Sequence, residues 1–471
     1  MTAPFSDVGG VDDSAGAFQL EDRAALRRVA GLSTELTDVT EVEYRQLRLE
    51  RVVLVGVWTS GTLAGAENSL TELARLAETA GSQVLDALIQ RRETPDPATY
   101  IGSGKAKELR DIAIATAADT IICDGELTPG QLRQLEAVVK VKVVDRTALI
   151  LDIFAQHASS KEGKAQVELA QMQYLLPRLR GWGEALSRQV GGRAAGGAGI
   201  GGRGPGETKI ELDRRRISSR MAKLRHDLKG MKTARAVKRS QRQARNVPSV
   251  VLTGYTNAGK SSLLNELTGA GVLVENALFA TLDPTVRRAE TGDGRAYTLT
   301  DTVGFVRHLP HQLVEAFRST LEEVADADLM VHVVDASDAD PVAQIDAVRA
   351  VLADVDAAAV PEVLVFNKID TADPAMLTRL RRLVPDALFV SARTRAGLDD
   401  LRAEIDRRLP RPDILINVLL PYSRGDLVDR IHREGEILEQ SHTADGTRLC
   451  ARVPAALAAA ASAFAVTLAG D

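Results

Sequence analysis

Lys260 and Ser261 close the loop Gly254-Tyr255-Thr256-Asn257-Ala258-Gly259-Lys260-Ser261, which sets a cation beside a hydroxyl after two well-spaced glycines. The β-branched run Ser249–Thr253 precedes it and the helix-forming stretch Ser262–Leu267 follows, the strand–loop–helix setting that gives the pattern G-x-x-x-x-G-K-S its meaning. Gly254 and Gly259 let the backbone fold tightly, so that its N–H groups converge on phosphate oxygens at a helix N-terminus. Lys260 then supplies a point charge for β- and γ-phosphates. Ser261 offers a hydroxyl to a Mg²⁺ bridging them, and Ser262 continues the cradle.

Three further segments follow in order. Asp301-Thr302-Val303-Gly304 ends the strand-like Ala296–Thr300, where Asp301 is expected to hold Mg²⁺ through a water and the Gly304 N–H to meet the γ-phosphate. A loop that touches γ-phosphate only while it exists is a switch. Its partner is sought in Phe279-Ala280-Thr281-Leu282-Asp283-Pro284-Thr285, with Thr281 favoured over Thr285 to complete the metal shell. Asn367-Lys368-Ile369-Asp370 follows the apolar Val363–Phe366, so its polar groups emerge at a strand's carboxyl end, where open α/β sheets bind ligands. The Asp370 carboxylate matches guanine N1–H and the N2 amine together. Two charge-assisted hydrogen bonds at about 1.5–3 kcal/mol each would separate GTP from ATP by roughly two to four orders of magnitude. Asn367 is expected to fix the purine and tie down the phosphate loop, with the Lys368 stem over the base. The Ser391-Ala392-Arg393 segment would bring a backbone N–H to guanine O6. The expected catalytic set is Lys260, Thr281 and Gly304, and the expected metal set Ser261, Thr281 and Asp301. Phe305 stands where many signalling GTPases carry a water-orienting glutamine, which predicts slow hydrolysis until a partner intervenes.

Positioning these groups requires a parallel α/β sheet, and the chain has room for more than one. At 471 residues, with 45% hydrophobic content, two to four domains are expected. The expected divisions are a lead-in over 1–44, an α/β domain over 45–157, a helical hairpin over 158–246, a doubly wound GTPase domain over 247–409 and a small α+β appendix over 410–471. Two distant cysteines, Cys123 and Cys450, suit a reducing cytosol, and no apolar run suggests a signal peptide or a membrane span. A cytoplasmic protein is expected. In the first domain Gly102-Ser103-Gly104-Lys105 resembles half a phosphate loop, but Ala106 follows the lysine, so a glycine turn opening a helix is the preferred reading over a second nucleotide site.

The net charge of −5 hides an asymmetry: Arg203–Arg245 holds 15 Lys and Arg against four acids, +11, which leaves −16 for the rest. Within it Ile217, Met221, Leu224, Leu228 and Met231 repeat as a heptad seam. Leu169, Met172, Leu176 and Leu179 form a second stripe, which Pro177 is expected to kink. Two such helices predict an antiparallel hairpin with a glycine-rich tip at Gly191–Gly206. Arg193, Arg203, Lys209, Arg214, Arg215, Arg216 and Arg220 are its candidate RNA-binding residues, reading phosphates and shape rather than bases. A plain flexible linker is the alternative for the tip.

The GTPase segments resemble the Obg group, above all Phe279–Thr285 and Asp301–Phe305. Thr99–Lys105, Asp145-Arg146-Thr147, Leu175–Leu179 and especially Gly202–Asp213 narrow the resemblance to the HflX family over about residues 45–471. That resemblance implies a monomeric factor binding the large (50S) ribosomal subunit and its 23S rRNA, not DNA. In this family the hairpin tip reaches the peptidyl-transferase region and the GTP form splits stalled ribosomes. A large-subunit assembly factor, and an RNA-remodelling ATPase acting through the first domain, are the competing readings.

Overall fold

The computed structural model describes residues 27–28, 50–179, 205–244, 247–269, 278–279, 284–292, 294–307, 313, 321, 323–410 and 414–466. The chain divides into two compact units, Met1–Ile153 with Tyr174–Arg215, and Phe154–Gln173 with Arg216–Asp471.

In the first unit, β2 (Arg51–Trp58), β3 (Gln83–Arg91), β4 (Thr120–Asp124) and β5 (Lys142–Asp145) form a parallel sheet. Helices α1 (Leu63–Thr79), α2 (Ser103–Thr116) and α3 (Pro129–Val139) connect them. Arg27–Arg28, inside the expected lead-in, add a two-residue antiparallel strand β1 beside Ile89 and Leu88, giving the order β1-β3-β2-β4-β5. Because both faces carry helices, the strands read as near-continuous apolar runs, and Val52, Val53, Leu54 and Val55 are fully buried. Thr128 and Gln131 build a reciprocal cap that starts α3. Gly102 caps α2, and the Lys105 ammonium lies 2.8 Å from Glu108 of the same helix, so the half phosphate loop is a helix start.

Charged residues gather at the carboxyl ends of β4 and β5. Arg146 pairs with Asp124 at 2.7 Å and with Glu72, while the fully buried Asp145 accepts from Arg178 (3.0 Å) and from the Tyr174 hydroxyl (2.9 Å). A buried carboxylate persists only with such partners, and here they tie the end of α5 (Lys161–Leu179) to the sheet that α4 (Arg146–His157) leaves. Pro177 lies inside α5, where it has no N–H to donate to the Gln173 carbonyl one turn back.

Helix α6 runs for 40 residues, Pro205–Ala244, about 60 Å at 1.5 Å per residue. Met221 and Leu224 of the expected seam are buried and Ile217, Leu228 and Met231 half-buried, while Arg215, Arg216 and Arg220 are exposed. The Arg220 guanidinium grips the Glu168 carboxylate of α5 at 2.7 and 2.8 Å, so the two helices lie side by side at that level. Arg193, Arg203 and the tip through residue 204 lie outside the described residues.

The second unit contains a six-stranded sheet ordered β11-β10-β9-β6-β8-β7, from β6 (Ser249–Gly254), β7 (Thr285–Glu290), β8 (Ala296–Asp301), β9 (Leu329–Asp335), β10 (Glu362–Asn367) and β11 (Leu388–Phe389). All pairs are parallel except β7 with β8. Helices α7 (Lys260–Thr268), α8 (Pro341–Asp354), α9 (Pro374–Leu383) and α10 (Leu398–Arg408) accompany it. Leu263, Leu264, Leu398, Leu401 and Ile405 close one core over β6, β9 and β10. A three-stranded antiparallel sheet, β12 (Ile414–Leu420), β14 (Gly446–Val453) and β13 (Glu436–Thr443) in that order, packs on α11 (Gly425–Glu434) and α12 (Ala455–Ala461). The alanine-rich C-terminus is thus a short helix, and no helix among the described residues is long and apolar enough to cross a membrane.

Candidate guanine-nucleotide site

The phosphate loop bridges the end of β6 and the start of α7. Gly259 caps α7 at φ +92, and a Cβ there would lie 2.2 Å from Asn367 Nδ2. Only glycine tolerates both the conformation and the approach. Asn257 bends the loop at φ +58, and the Ala258 N–H returns to the Tyr255 carbonyl. Within this turn Lys260 is 6% exposed and its Nζ donates to the carbonyls of Gly254 (3.1 Å) and Tyr255 (2.9 Å). Burial pushes its pKa down to about 8, against the opposing pull of Asp301. The lysine is therefore a costly buried cation, positioned by backbone oxygens at the mouth of α7.

Ser261 and Asp301 come from elements 40 residues apart, yet Ser261 Oγ donates to Asp301 Oδ2 at 2.5 Å. The pairing of β6 with β8, Leu252 opposite Asp301, makes this meeting possible. Thr302 Oγ1 donates to the Leu252 carbonyl at 2.8 Å and anchors the segment after β8. Beyond it the chain zips onto the phosphate loop: the Phe305 N–H donates to the Gly254 carbonyl (3.1 Å) and the Thr256 N–H to the Phe305 carbonyl (2.7 Å). The Arg307 N–H donates to the Tyr255 hydroxyl. Val303 and Phe305 are buried, so the phenylalanine ring serves the core beside the loop. Gly304 lies against Thr256: a Cβ would fall 2.8 Å from its Cα and 3.1 Å from Lys260 Nζ. Of the other expected switch, Phe279 is buried and meets Phe154 edge-on at 4.5 Å. Ala280, Thr281, Leu282 and Asp283 lie outside the described residues.

The segment expected to read the base is placed by the register of β10 on β9, with Asn367 opposite Asp335. Asn367 is 1% exposed; its Nδ2 donates to the Ala258 carbonyl (2.9 Å) and its Oδ1 accepts the Ala392 N–H (3.0 Å). One amide thus ties the phosphate loop to the Ser391-Ala392 segment. Lys368, at φ +62, sends Nζ to Asp335 Oδ2 at 2.7 Å, and the Ile369 N–H joins the Val390 carbonyl. Asp370 accepts from Ser391 Oγ at 2.6 Å and pairs with Arg393. The Ser391 hydroxyl and then Arg393 hold its carboxyl below the ordinary carboxylate range. Sequence reasoning missed three partners: Asp335, the Tyr255 hydroxyl as an anchor for Arg307, and Glu266, which pairs with Arg395 at 2.7 Å. Asp335 alone left a signal, an acid ending the apolar strand Leu329–Val334.

Comparison with known proteins follows the same layout. Three family models match in tandem: "GTP-binding GTPase N-terminal" over residues 67–155, "GTP-binding GTPase Middle Region" over 157–242 and "50S ribosome-binding GTPase" over 249–368. GTPase HflX of Lacrimispora saccharolytica is 44% identical over 425 residues, 90% of this chain and 97% of that protein. GTPase HflX of Escherichia coli is 40% identical over 86% of this chain and 97% of its own length. A GDP complex of a GTP-binding protein from Sulfolobus solfataricus aligns over 76% of this chain and 98% of its own, at 25% identity and a TM-score of 0.39, a likeness too loose to carry weight. Identity at this level runs from the first sheet through the basic helix to the phosphate loop and the strand end at Asn367, and the chain belongs to the HflX family of GTPases.

Proposed function

We propose that this GTPase binds the large ribosomal subunit in its GTP form, drives intact ribosomes apart, and is released by hydrolysis that the ribosome stimulates. The observation that carries the reading is one chain joining a candidate guanine-nucleotide site to a 40-residue helix on which Arg215, Arg216, Arg220 and Arg225 are exposed. The match to a family described as 50S ribosome-binding GTPase, over residues 249–368, names the kind of surface that helix would meet. Phosphates on 23S rRNA would take Lys209, Arg214, Arg215 and Arg216, whereas Arg220 is already engaged by Glu168.

At the nucleotide, the loop from Gly254 to Ser262 would cradle the phosphates, Lys260 would bridge β and γ, and the Gly304 N–H would meet the γ-phosphate. The chemistry of the donors fits Mg²⁺: Ser261 and Asp301 present two hard oxygens 2.5 Å apart at a helix start. Ser261, Asp301 and, from outside the described residues, Thr281 would hold the ion, which when bound neutralises charge on the phosphate oxygens. Asp370 would read guanine, and the Ala392 N–H, which donates to Asn367 Oδ1 here, would turn to the base's O6. With Phe305 in the core, no side chain at that position orients the attacking water, so the isolated protein turns over slowly and the ribosome accelerates it.

Light scattering of intact ribosomes mixed with the protein tests the whole reading. A fall with GTP and with a non-hydrolysable analogue, but not with GDP, is the expected result. Unchanged scattering with protein bound only to large-subunit precursors would move the function to subunit assembly. Fast GTP hydrolysis by the protein alone would remove the need for a stimulating partner.

A further inference from the structure

The carboxylate expected to read guanine already has a claimant. Asp370 Oδ1 accepts from the Ser391 hydroxyl at 2.6 Å, while Oδ2 pairs with the Arg393 guanidinium. A guanidinium presents parallel N–H donors in one plane, and guanine presents the same pattern through N1–H and the N2 amine. The two groups are therefore alternatives for one acceptor.

Arg393 reaches Asp370 from a loop held at several points. The Ser391 N–H donates to the Ala396 carbonyl at 2.9 Å and the Thr394 N–H to the Ser391 hydroxyl at 3.0 Å. Arg395 anchors the same loop to Glu266 of α7 at 2.7 Å. The neighbouring Ala392 N–H is also engaged, by Asn367 Oδ1. The side chain of Arg393 is 71% exposed and that of Asp370 12%, so the arginine lies over the acid from the solvent side.

We propose that Arg393 is a specificity-determining residue that competes with the guanine edge for Asp370, weakening guanine nucleotides and hastening their release. This rests on the guanine-site reading above. Occupancy of Asp370 by Arg393 multiplies the affinity of any ligand that needs the carboxylate by the fraction of time it is available, and leaves phosphate binding at Lys260 untouched. An ion pair this exposed is weak and screened, which limits the effect to about two- to fivefold.

The test uses the full chain as wild type, R393A and R393K, with fluorescent GDP for affinity and dissociation rate and inorganic tripolyphosphate as a ligand without a base. R393A is expected to bind GDP about two- to fivefold more tightly and release it more slowly, with R393K between and tripolyphosphate binding equal in all three. Raising the salt should narrow the gap between wild type and R393A. Weaker GDP binding by R393A would mean that the guanidinium supports the bound base, and equal binding that the pair is incidental; either overturns the proposal. Tightening of tripolyphosphate along with GDP would also overturn it, because a general loosening of the site would then explain both. Failure of the wild type to bind GDP would instead sink the guanine-site reading itself.

Discussion

Replacing Lys260 by methionine is expected to stabilise the protein without nucleotide while abolishing its binding of GTP. The ammonium is 6% exposed and burial lowers its pKa from 10.5 to about 8. The folded value lies below the unfolded one, so between about pH 8 and 10.5 the unfolded chain holds a proton that the folded chain has released. Stability then rises with pH through that window, and below it the folded protein carries the full penalty. At about 1.4 kcal/mol per pH unit, the penalty is roughly 3 kcal/mol near neutrality. Methionine removes it together with the two ammonium hydrogen bonds, at only about 0.5–1 kcal/mol each because the Gly254 and Tyr255 carbonyls keep the Phe305 and Ala258 N–H groups as donors. A net gain of roughly 1–2 kcal/mol remains, equivalent to about 2–8 °C for a domain of this size. Scanning calorimetry should follow the transition that GDP raises in the wild type, at pH 7 and again near pH 10. The K260M midpoint should exceed the wild type's at pH 7, the advantage should shrink near pH 10, and GTP should move the variant's midpoint little. A variant no more stable at pH 7, or an advantage indifferent to pH, would refute the reasoning, because the lysine would then be held favourably by its two carbonyls.

Gly304→Ala should leave GDP affinity within about threefold but slow single-turnover hydrolysis by roughly a hundredfold, since a misplacement of about 1 Å is enough for that. The added methyl would meet Thr256 backbone at 2.8 Å, so the segment must move away from the loop, and an unchanged rate would show that it has no catalytic role. Reversing Arg214, Arg215 and Arg216 to Glu should weaken co-sedimentation with ribosomes by more than about a hundredfold while GDP affinity stays unchanged. Loss of both together would point to misfolding instead.

Much of the candidate site was legible because its parts are local. A β-branched strand, a glycine loop and a helix start announce Gly254–Ser262 within a few residues, and the apolar run Val363–Phe366 delivers Asn367 to a strand end by simple periodicity. The N-terminal strands and helices were readable for the same reason, their alternation implying a parallel sheet. Local pattern also marked Arg220 as a basic residue on a helix, but its partner, Glu168, lies 52 residues away and was invisible.

What the sequence alone determined, then, is the chemistry on offer: a phosphate loop, an acid at a strand end with the acceptor geometry for guanine, a basic helix, and the order in which they occur. Tertiary structure decided which groups meet. The strand order β11-β10-β9-β6-β8-β7 brings Asp301 to Ser261, Asp335 to Lys368 and Asn367 to Ala258, across separations of 40, 33 and 109 residues. It also leaves Phe305 in the core and Arg393 on Asp370. Such contacts depend on crossover connections and on loop conformations with positive φ, and neither leaves a periodic trace in the chain.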